Sequence, residues 1–350
     1  MFAIALKPHQ QYKTYVLSDP ATQSSLEVVP ERGGIITRWQ VEDQDLLYLD
    51  SERFANPELT VRGGIPILFP ICGNLPDDTY TYQGQKYTLK QHGFARNLPW
   101  TVAQQATNQG AAITLVLTSN PQTRSVYPFD FEVEFTYTLK GNSLQIFQRY
   151  TNLCGTTDSL PAQTMPFSTG LHPYFLAGDK EQLAFEIPAM QYRDQRNQKN
   201  HLFTGRFDPL EEEIDGLFNP LTGLATTTID HSRRSKIIMG YSYAYSSVVY
   251  WTVKGKDYYC LEPWTAPRNA MNTGKLLTYL KPGASCEMVV YLSATFFWET
   301  PCQPQSVVLL LETVREKKKN ARVANSMVEY SAFNRFVPGS SPGRPIFKVW

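Results

Sequence analysis

Apolar and polar residues alternate strictly through Phe131-Glu132-Val133-Glu134-Phe135-Thr136-Tyr137-Thr138-Leu139. A period of two sends successive side chains to opposite faces of a strand, so this segment predicts a strand with one buried and one wet face. Lys140-Gly141-Asn142 turns the chain, and Ser143 to Thr151 returns as its partner. Similar runs, rich in β-branched and aromatic residues, predict strands at Ser25–Val29, Ile35–Val41, Ala112–Thr118 and Ser285–Ser293. A further strand is expected from Asp45 to Asp50. Tyr80–Tyr82 and Lys86–Leu89 form a hairpin about Gly84, and Val248–Val253 and Tyr258–Leu261 another. Apolar spacing suited to amphipathic helices is nearly absent before residue 300. Many short strands separated by turn signals predict an all-β fold, a large antiparallel sandwich or barrel with few short helices. No linker divides residues 1–297, which read as one domain. The tetrapeptide RGGI occurs twice, at Arg32 and Arg62. Two turns of similar shape, each leading into a strand, account for it more simply than a duplication.

The pattern changes after about Phe297. Residues 298–350 are expected to be an atypical tail. Val307–Leu311 followed by Arg315-Glu316-Lys317-Lys318-Lys319 could make a short basic helix, and the aperiodic remainder is expected to be loosely ordered. Ser331-Ala332-Phe333-Asn334-Arg335 can be encoded by TCG-GCT-TTT-AAC-CGN, the anticodon arm of a lysine tRNA. Gly339-Ser340-Ser341-Pro342-Gly343 can be encoded by GGTTCGAGTCCCGG, a tRNA T-arm. The tail is therefore expected to be a translated tRNA gene.

Composition narrows the function. Hydrophobic residues at 42% and charged residues at 19% fit a globular chain with a sizeable core. A net charge of +1 supplies no field that would steer the chain onto nucleic acid or an anionic membrane. The five cysteines are odd in number, scattered and without a CxxC pair, which argues against a disulfide framework or a zinc site. The apolar run at Met1–Leu6 is too short for a signal peptide, and no run reaches the length of a membrane-spanning helix. A cytoplasmic protein, monomeric or weakly dimeric, is the expectation.

Among the five histidines, His9, His201 and His231 sit in polar surroundings and read as solvated. His92 and His172 are flanked by glycine and aromatics in Gln91-His92-Gly93-Phe94-Ala95-Arg96 and Gly170-Leu171-His172-Pro173-Tyr174-Phe175. Each is either a satisfied core histidine or a site residue. Glu262 ends an apolar strand before Pro263-Trp264, where partial burial would raise its pKa and suit it as a base. Its alternative is an ordinary strand-end carboxylate paired with Arg268. Asp215, before Gly216, is either a further site carboxylate or a turn residue, and Glu211-Glu212-Glu213 reads as a solvated face. HExxH, P-loop, Rossmann and GxSxG patterns are missing. What remains is metal-free acid–base chemistry on a polar ligand, needing no cofactor.

These residues lie in segments that resemble the galactose mutarotase-like superfamily, the aldose 1-epimerases, and most closely its hexose-6-phosphate mutarotase (glucose-6-phosphate 1-epimerase) branch. The matching pieces are RGGIPILFP at 62–70, QHGFARNLPW at 91–100, GLHPYF at 170–175, EEEIDGLF at 211–218 and LEPW at 261–264. They occur in family order across about residues 20–295. The resemblance implies a large antiparallel β-supersandwich with the sugar in a groove across one sheet. It implies that His172 protonates the ring oxygen and that Glu262 takes the proton of the C1 hydroxyl. His92 would bind the sugar and stabilise the open form, Arg62 would line the pocket, and Arg96 would help to hold a phosphate. Asp215 would be an acidic sugar contact, with Asp208 as the competing alignment. The expected function is interconversion of the α and β anomers of an aldohexose, a hexose 6-phosphate by branch. The alternatives are a non-catalytic carbohydrate-binding protein on the same fold and a domain of a larger carbohydrate enzyme.

Overall fold

The computed structural model describes residues 1–9, 11–156 and 160–297. The expected tail at 298–350, its short helix and its loose remainder lie outside the described residues. Two eight-stranded sheets form the body. One runs in the order Leu183–Glu186, Ala225–Asp230, Ser235–Tyr241, Ser285–Phe296, Ser143–Asn152, Phe131–Lys140, Ala111–Thr118, Thr101–Ala106. The other runs Asn200–Leu202, Gln191–Asp194, Glu213–Phe218, Ser247–Val253, Tyr258–Trp264, Gly170–Leu171, Ile67–Leu68, with Tyr174–Leu176 also paired to Tyr258–Trp264. Ladders in both are antiparallel. A five-stranded sheet precedes them, from Ala3–His9 to Gln44–Asp45. Helices among the described residues are short: Ser51–Ala55, Pro121–Val126 and Ala270–Thr273. None is long and apolar enough to cross a membrane.

The alternation read from sequence sets the layers. Phe131, Val133, Phe135, Tyr137 and Leu139 are buried, while the residues between them are only partly covered. The strand Tyr258–Trp264 is buried on both faces. Tyr259 and Leu261 join the main hydrophobic core, and Cys260 and Trp264 belong to separate clusters on the opposite face. The same sorting places Ile214, Val248 and Tyr250 in the core and leaves Asp215, Val249 and Trp251 on the other side. Register then aligns the outward residues, Asp215 with Trp251 and Cys260, and Leu217 with Val249 and Glu262.

The expected hairpins form at Thr79–Tyr82 with Gln85–Thr88 and at Ser247–Val253 with Tyr258–Trp264. Asp45 to Asp50 does not form the expected strand. Pairing stops at Gln44–Asp45, and isolated bridges Leu47–Phe175 and Leu49–Gly63 hold the next few residues. The Asp50 side chain then accepts from the Arg53 amide and starts a helix at Ser51. Both RGGI segments place their two glycines at positive φ. They also touch, through an Ile36–Ile65 bridge. A Cβ on Gly64 would lie 2.2 Å from the Ile36 carbonyl oxygen, so this contact requires glycine.

Candidate active site

All six residues singled out in the sequence, Arg62, His92, Arg96, His172, Asp215 and Glu262, line one cavity of about 350 Å³. That is the size of a site for a small polar ligand. Period two on Tyr258–Trp264 brings Glu262 and Trp264 to the same wall. His172 arrives between the short strands Gly170–Leu171 and Tyr174–Leu176, with its amide donating to the Pro66 carbonyl at 3.0 Å. His172 Nε2 lies 3.3 Å from Glu262 Oε1, and the second carboxylate oxygen accepts from Trp264 Nε1 at 3.2 Å. Both groups are nearly closed to solvent, at 6% and 2% exposure. The His172 ring stacks on Tyr174 at 4.6 Å between centroids.

Burial shapes the electrostatics. Loss of solvent pushes the Glu262 carboxyl well above the usual carboxylate range, and the charge of Asp215 adds to the push. Loss of solvent pushes the His172 imidazole well below its usual value, helped by the charges of Arg96 and Arg62. The two directions agree, and the protein groups by themselves favour a proton on Glu262 and a neutral His172. At 3.3 Å the two groups interact directly, so their titration belongs to the pair and not to either residue.

His92 stands beside them, its ring centroid 5.5 Å from that of His172 and 5.6 Å from that of Trp264. The ligand-capable atoms of His92, His172 and Glu262 all lie within 4.8 Å of one another, a spacing that a metal ion could use. Arg62 places its guanidinium 5.1 Å from the Trp251 ring centroid. Arg96 is held by the Gln91 carbonyl at 2.8 Å.

Asp215 lines the cavity with its carboxylate already engaged. Its Oδ2 lies 2.6 Å from Arg268 Nη2 and its Oδ1 accepts from Gln195 Nε2 at 2.7 Å. Arg268 therefore pairs with Asp215, and the alternative in which it neutralises Glu262 fails. Asp208 lies away from this cavity, against Lys180 and Phe207. Glu213 departs from the solvated run expected for Glu211–Glu213. It lines the cavity and accepts from Trp251 Nε1 at 2.7 Å. Sequence reasoning also missed Arg53, Gln91, Tyr174, Trp251 and Arg268 as lining residues. Alternation was a usable signal for Trp251, two residues from Val249 on the same face. Contacts such as Arg268 with Asp215, 53 positions apart, carry no local signal.

A buried carboxyl–imidazole pair thus lines a polar cavity on one sheet of the β-sandwich. The family described as aldose 1-epimerase matches residues 13–293, and the chain belongs to that family. It is thus an isomerase of the sugar mutarotase type. The chain is similar to the solved structure of the Slr1438 protein from Synechocystis sp. PCC 6803, at 44% identity and a TM-score of 0.79 over 85% of this chain and all of that one. It is also similar to protein LacX of Lactococcus lactis, at 26% identity over 70% of this chain and 86% of the relative. A candidate glucose-6-phosphate 1-epimerase of Cenchrus ciliaris is 27% identical, with 59% of this chain and 61% of the relative covered.

Proposed function

We propose that this protein interconverts the α and β anomers of an aldohexose 6-phosphate by proton transfer between sugar, Glu262 and His172, without a metal. The observation that carries the reading is the 3.3 Å contact between His172 Nε2 and Glu262 Oε1 at the wall of the cavity. For ring opening, the Glu262 carboxylate takes the hydrogen of the C1 hydroxyl. The C1–O5 bond breaks as C1–O1 becomes a carbonyl, and O5 takes a hydrogen from the His172 imidazolium. This leaves a protonated carboxyl and a neutral imidazole, the arrangement that burial favours. Rotation about C1–C2 presents the other carbonyl face. O5 then attacks C1 and gives its proton to His172 while Glu262 returns a hydrogen to O1, so the pair ends as it began.

Reference pKa values near ~4.3 for Glu and ~6.5 for His bracket this exchange, and a positioned proton-transfer group contributes about 10²- to 10⁴-fold. Holding the sugar against the pair adds an orientational gain. The guanidinium groups of Arg53, Arg62, Arg96 and Arg268 line the same cavity and oppose a bound cation. They support the phosphate preference for the same reason, since Arg presents a planar fork to phosphate oxygens. The name carried by the Cenchrus ciliaris relative points the same way. In freshly dissolved α-glucose 6-phosphate, the protein is expected to speed the approach of optical rotation to equilibrium, and to speed it less for unphosphorylated glucose. Unaltered rates with both sugars would leave the non-catalytic carbohydrate-binding reading.

A further inference from the structure

We propose that Gly73 is a positioning residue that fixes His92 in one tautomer, with its hydrogen on Nε2, so that His92 is a permanent hydrogen-bond donor toward the sugar. The tautomer follows from geometry alone; its use in catalysis rests on the mutarotase reading. His92 and Gly73 hold each other reciprocally. The His92 amide donates to the Gly73 carbonyl at 2.8 Å, and the Gly73 amide donates to His92 Nδ1 at 3.1 Å. An Nδ1 that accepts a hydrogen bond carries no hydrogen, so neutral His92 carries it on Nε2. Gln91 Nε2 lies 3.3 Å from that nitrogen, and a hydrogen there turns the Gln91 amide to present its oxygen, which then accepts the hydrogen that a bound sugar competes for.

The clamp has a local cost. His92 takes φ +67, a left-handed conformation uncommon outside glycine, though His adopts it more readily than most side chains. The next turn is fastened as well, with the Phe94 and Ala95 amides donating to the Phe69 carbonyl at 3.0 and 3.2 Å. Gly73 has φ +70, and a Cβ there would come within 2.3 Å of Arg268 Cγ. One glycine thus sets the His92 ring and leaves room for the arginine that holds Asp215.

A second proton on His92 would need Nδ1, where it would face the Gly73 N–H in a site closed to water. The charged and titratable groups facing the ring are Arg96 from its own turn, Arg62 and Arg268 from neighbouring segments, and His172 and Glu262 across the cavity. The three guanidiniums oppose that proton, and burial acts in the same direction. The tautomer also bears on metal binding. A metal-bound imidazole nitrogen needs its lone pair, and its other nitrogen usually donates. Gly73 supplies a donor where an acceptor would be required, so the His92, His172 and Glu262 set does not make a metal site.

Nitrogen-15 spectra of the labelled full chain test the tautomer without reference to activity. They are expected to show His92 Nδ1 unprotonated and Nε2 protonated throughout, with no titration in the ordinary imidazole range. A hydrogen on Nδ1, or an ordinary titration, would overturn the proposal. Replacing the Gly73 amide by an ester, through incorporation of glycolic acid, removes the donor and leaves the side chains unchanged, while weakening the Cys72 carbonyl as an acceptor. It is expected to mix the tautomers and lower kcat about tenfold or more, with KM changed less; unchanged spectra and kcat would overturn the clamp. His92→Asn tolerates the left-handed backbone and keeps an acceptor for Gly73, but its shorter side chain leaves no donor at the position of Nε2. A fall in kcat of about 10²- to 10³-fold is expected. A fixed tautomer in a chain that anomerises no sugar would sink the functional reading and leave the clamp standing.

We infer independently that residues 322–345 are a translated tRNA gene, because their codons can close every arm of a cloverleaf and not only two. Arg322-Val323-Ala324 as CGG-GTC-GCT and Gly343-Arg344-Pro345 as GGG-CGG-CCC supply the two strands of an acceptor stem, with one G·T pair. Asn325 to Tyr330 as AAC-TCA-ATG-GTA-GAG-TAC closes a D stem, ACTC against GAGT. Ser331 to Arg335 closes the anticodon stem around TTT except at its outermost position. Pro338 to Gly343 as CCG-GGT-TCG-AGT-CCC-GGG closes the T stem, CCGGG against CCCGG. Family similarity ends before this segment, at residue 293. Sequencing the coding DNA decides the matter. Codons that close these stems are expected, and synonymous codons that break them would overturn the inference.

Discussion

The two faces of the strand Tyr258–Trp264 are equally buried and chemically opposite. Tyr259 and Leu261 point into the main core, where Tyr259 packs on Phe175 and Phe185 at centroid distances of 5.4 Å. One residue along, Glu262 is just as hidden but faces the cavity wall, with an imidazole and an indole as its partners. On the core side burial is the stabilising term itself. On the cavity side it works against the charged carboxylate and favours the protonated carboxyl. Burial by itself therefore does not distinguish scaffold from site; what the buried atom meets does.

Substitutions on the two faces should separate accordingly. Glu262→Gln keeps the shape and removes the base, and anomeric exchange is expected to fall about 10²- to 10⁴-fold. The same change should stabilise the fold at alkaline pH. A carboxyl whose folded pKa lies above its unfolded value loses stability as pH rises from the ordinary carboxylate range to the raised pKa. Glutamine has no such loss, so the gain in Tm over wild type should grow across that window. A gain that does not depend on pH would contradict the burial argument. Leu261→Ala, on the other face, is expected to cost about 2–5 kcal/mol in denaturant unfolding while leaving the exchange rate per folded molecule close to wild type. A loss of catalysis as large as that of Glu262→Gln would erase the distinction.

The smaller effects sharpen it. Arg96→Ala should raise KM for the phosphorylated sugar by about ten- to a hundredfold and alter unphosphorylated glucose much less, in steady-state polarimetry. Equal changes for both sugars would remove Arg96 from phosphate binding. The smallest effect is on pH dependence. The pair works while it holds one proton, so activity should fall in acid when His172 takes a second and in alkali when Glu262 loses the first. Lowering of the one and raising of the other place the acid limb below the ordinary imidazole value and the alkaline limb above the ordinary carboxylate value. An acid limb above the ordinary imidazole value, or an alkaline limb below the ordinary carboxylate value, would contradict the assigned directions.

Much of this was legible in the sequence, for a physical reason. Alternation in Phe131–Leu139 and the hairpin turns at Gly84 and Gly141 are local signals, and the sheets kept them. The segment from Asp45 to Asp50 failed because an Asp that can cap a helix competed with a strand reading. His92, His172, Glu262 and Asp215 stood out from their local surroundings, Arg62, Arg96 and the assigned roles came from family motifs, and the structure gathers all six residues in one cavity. Their partners did not come from those motifs. Asp215 could be read only as a site carboxylate or a turn residue, because Gln195 and Arg268 reach it from distant segments. Glu213 looked solvated because its neighbours Glu211 and Glu212 are, whereas the strand Glu213–Phe218 begins at Glu213 and turns it inward.

The central claim is that Glu262 and His172 act as one proton-passing unit. Anomeric exchange of a hexose 6-phosphate can be followed by NMR in wild type, Glu262→Gln, His172→Asn and the double variant. Members of one unit are not additive, so the double variant should exchange no more slowly than the slower single. Losses that multiply in the double variant would show two independent contributions and contradict the account.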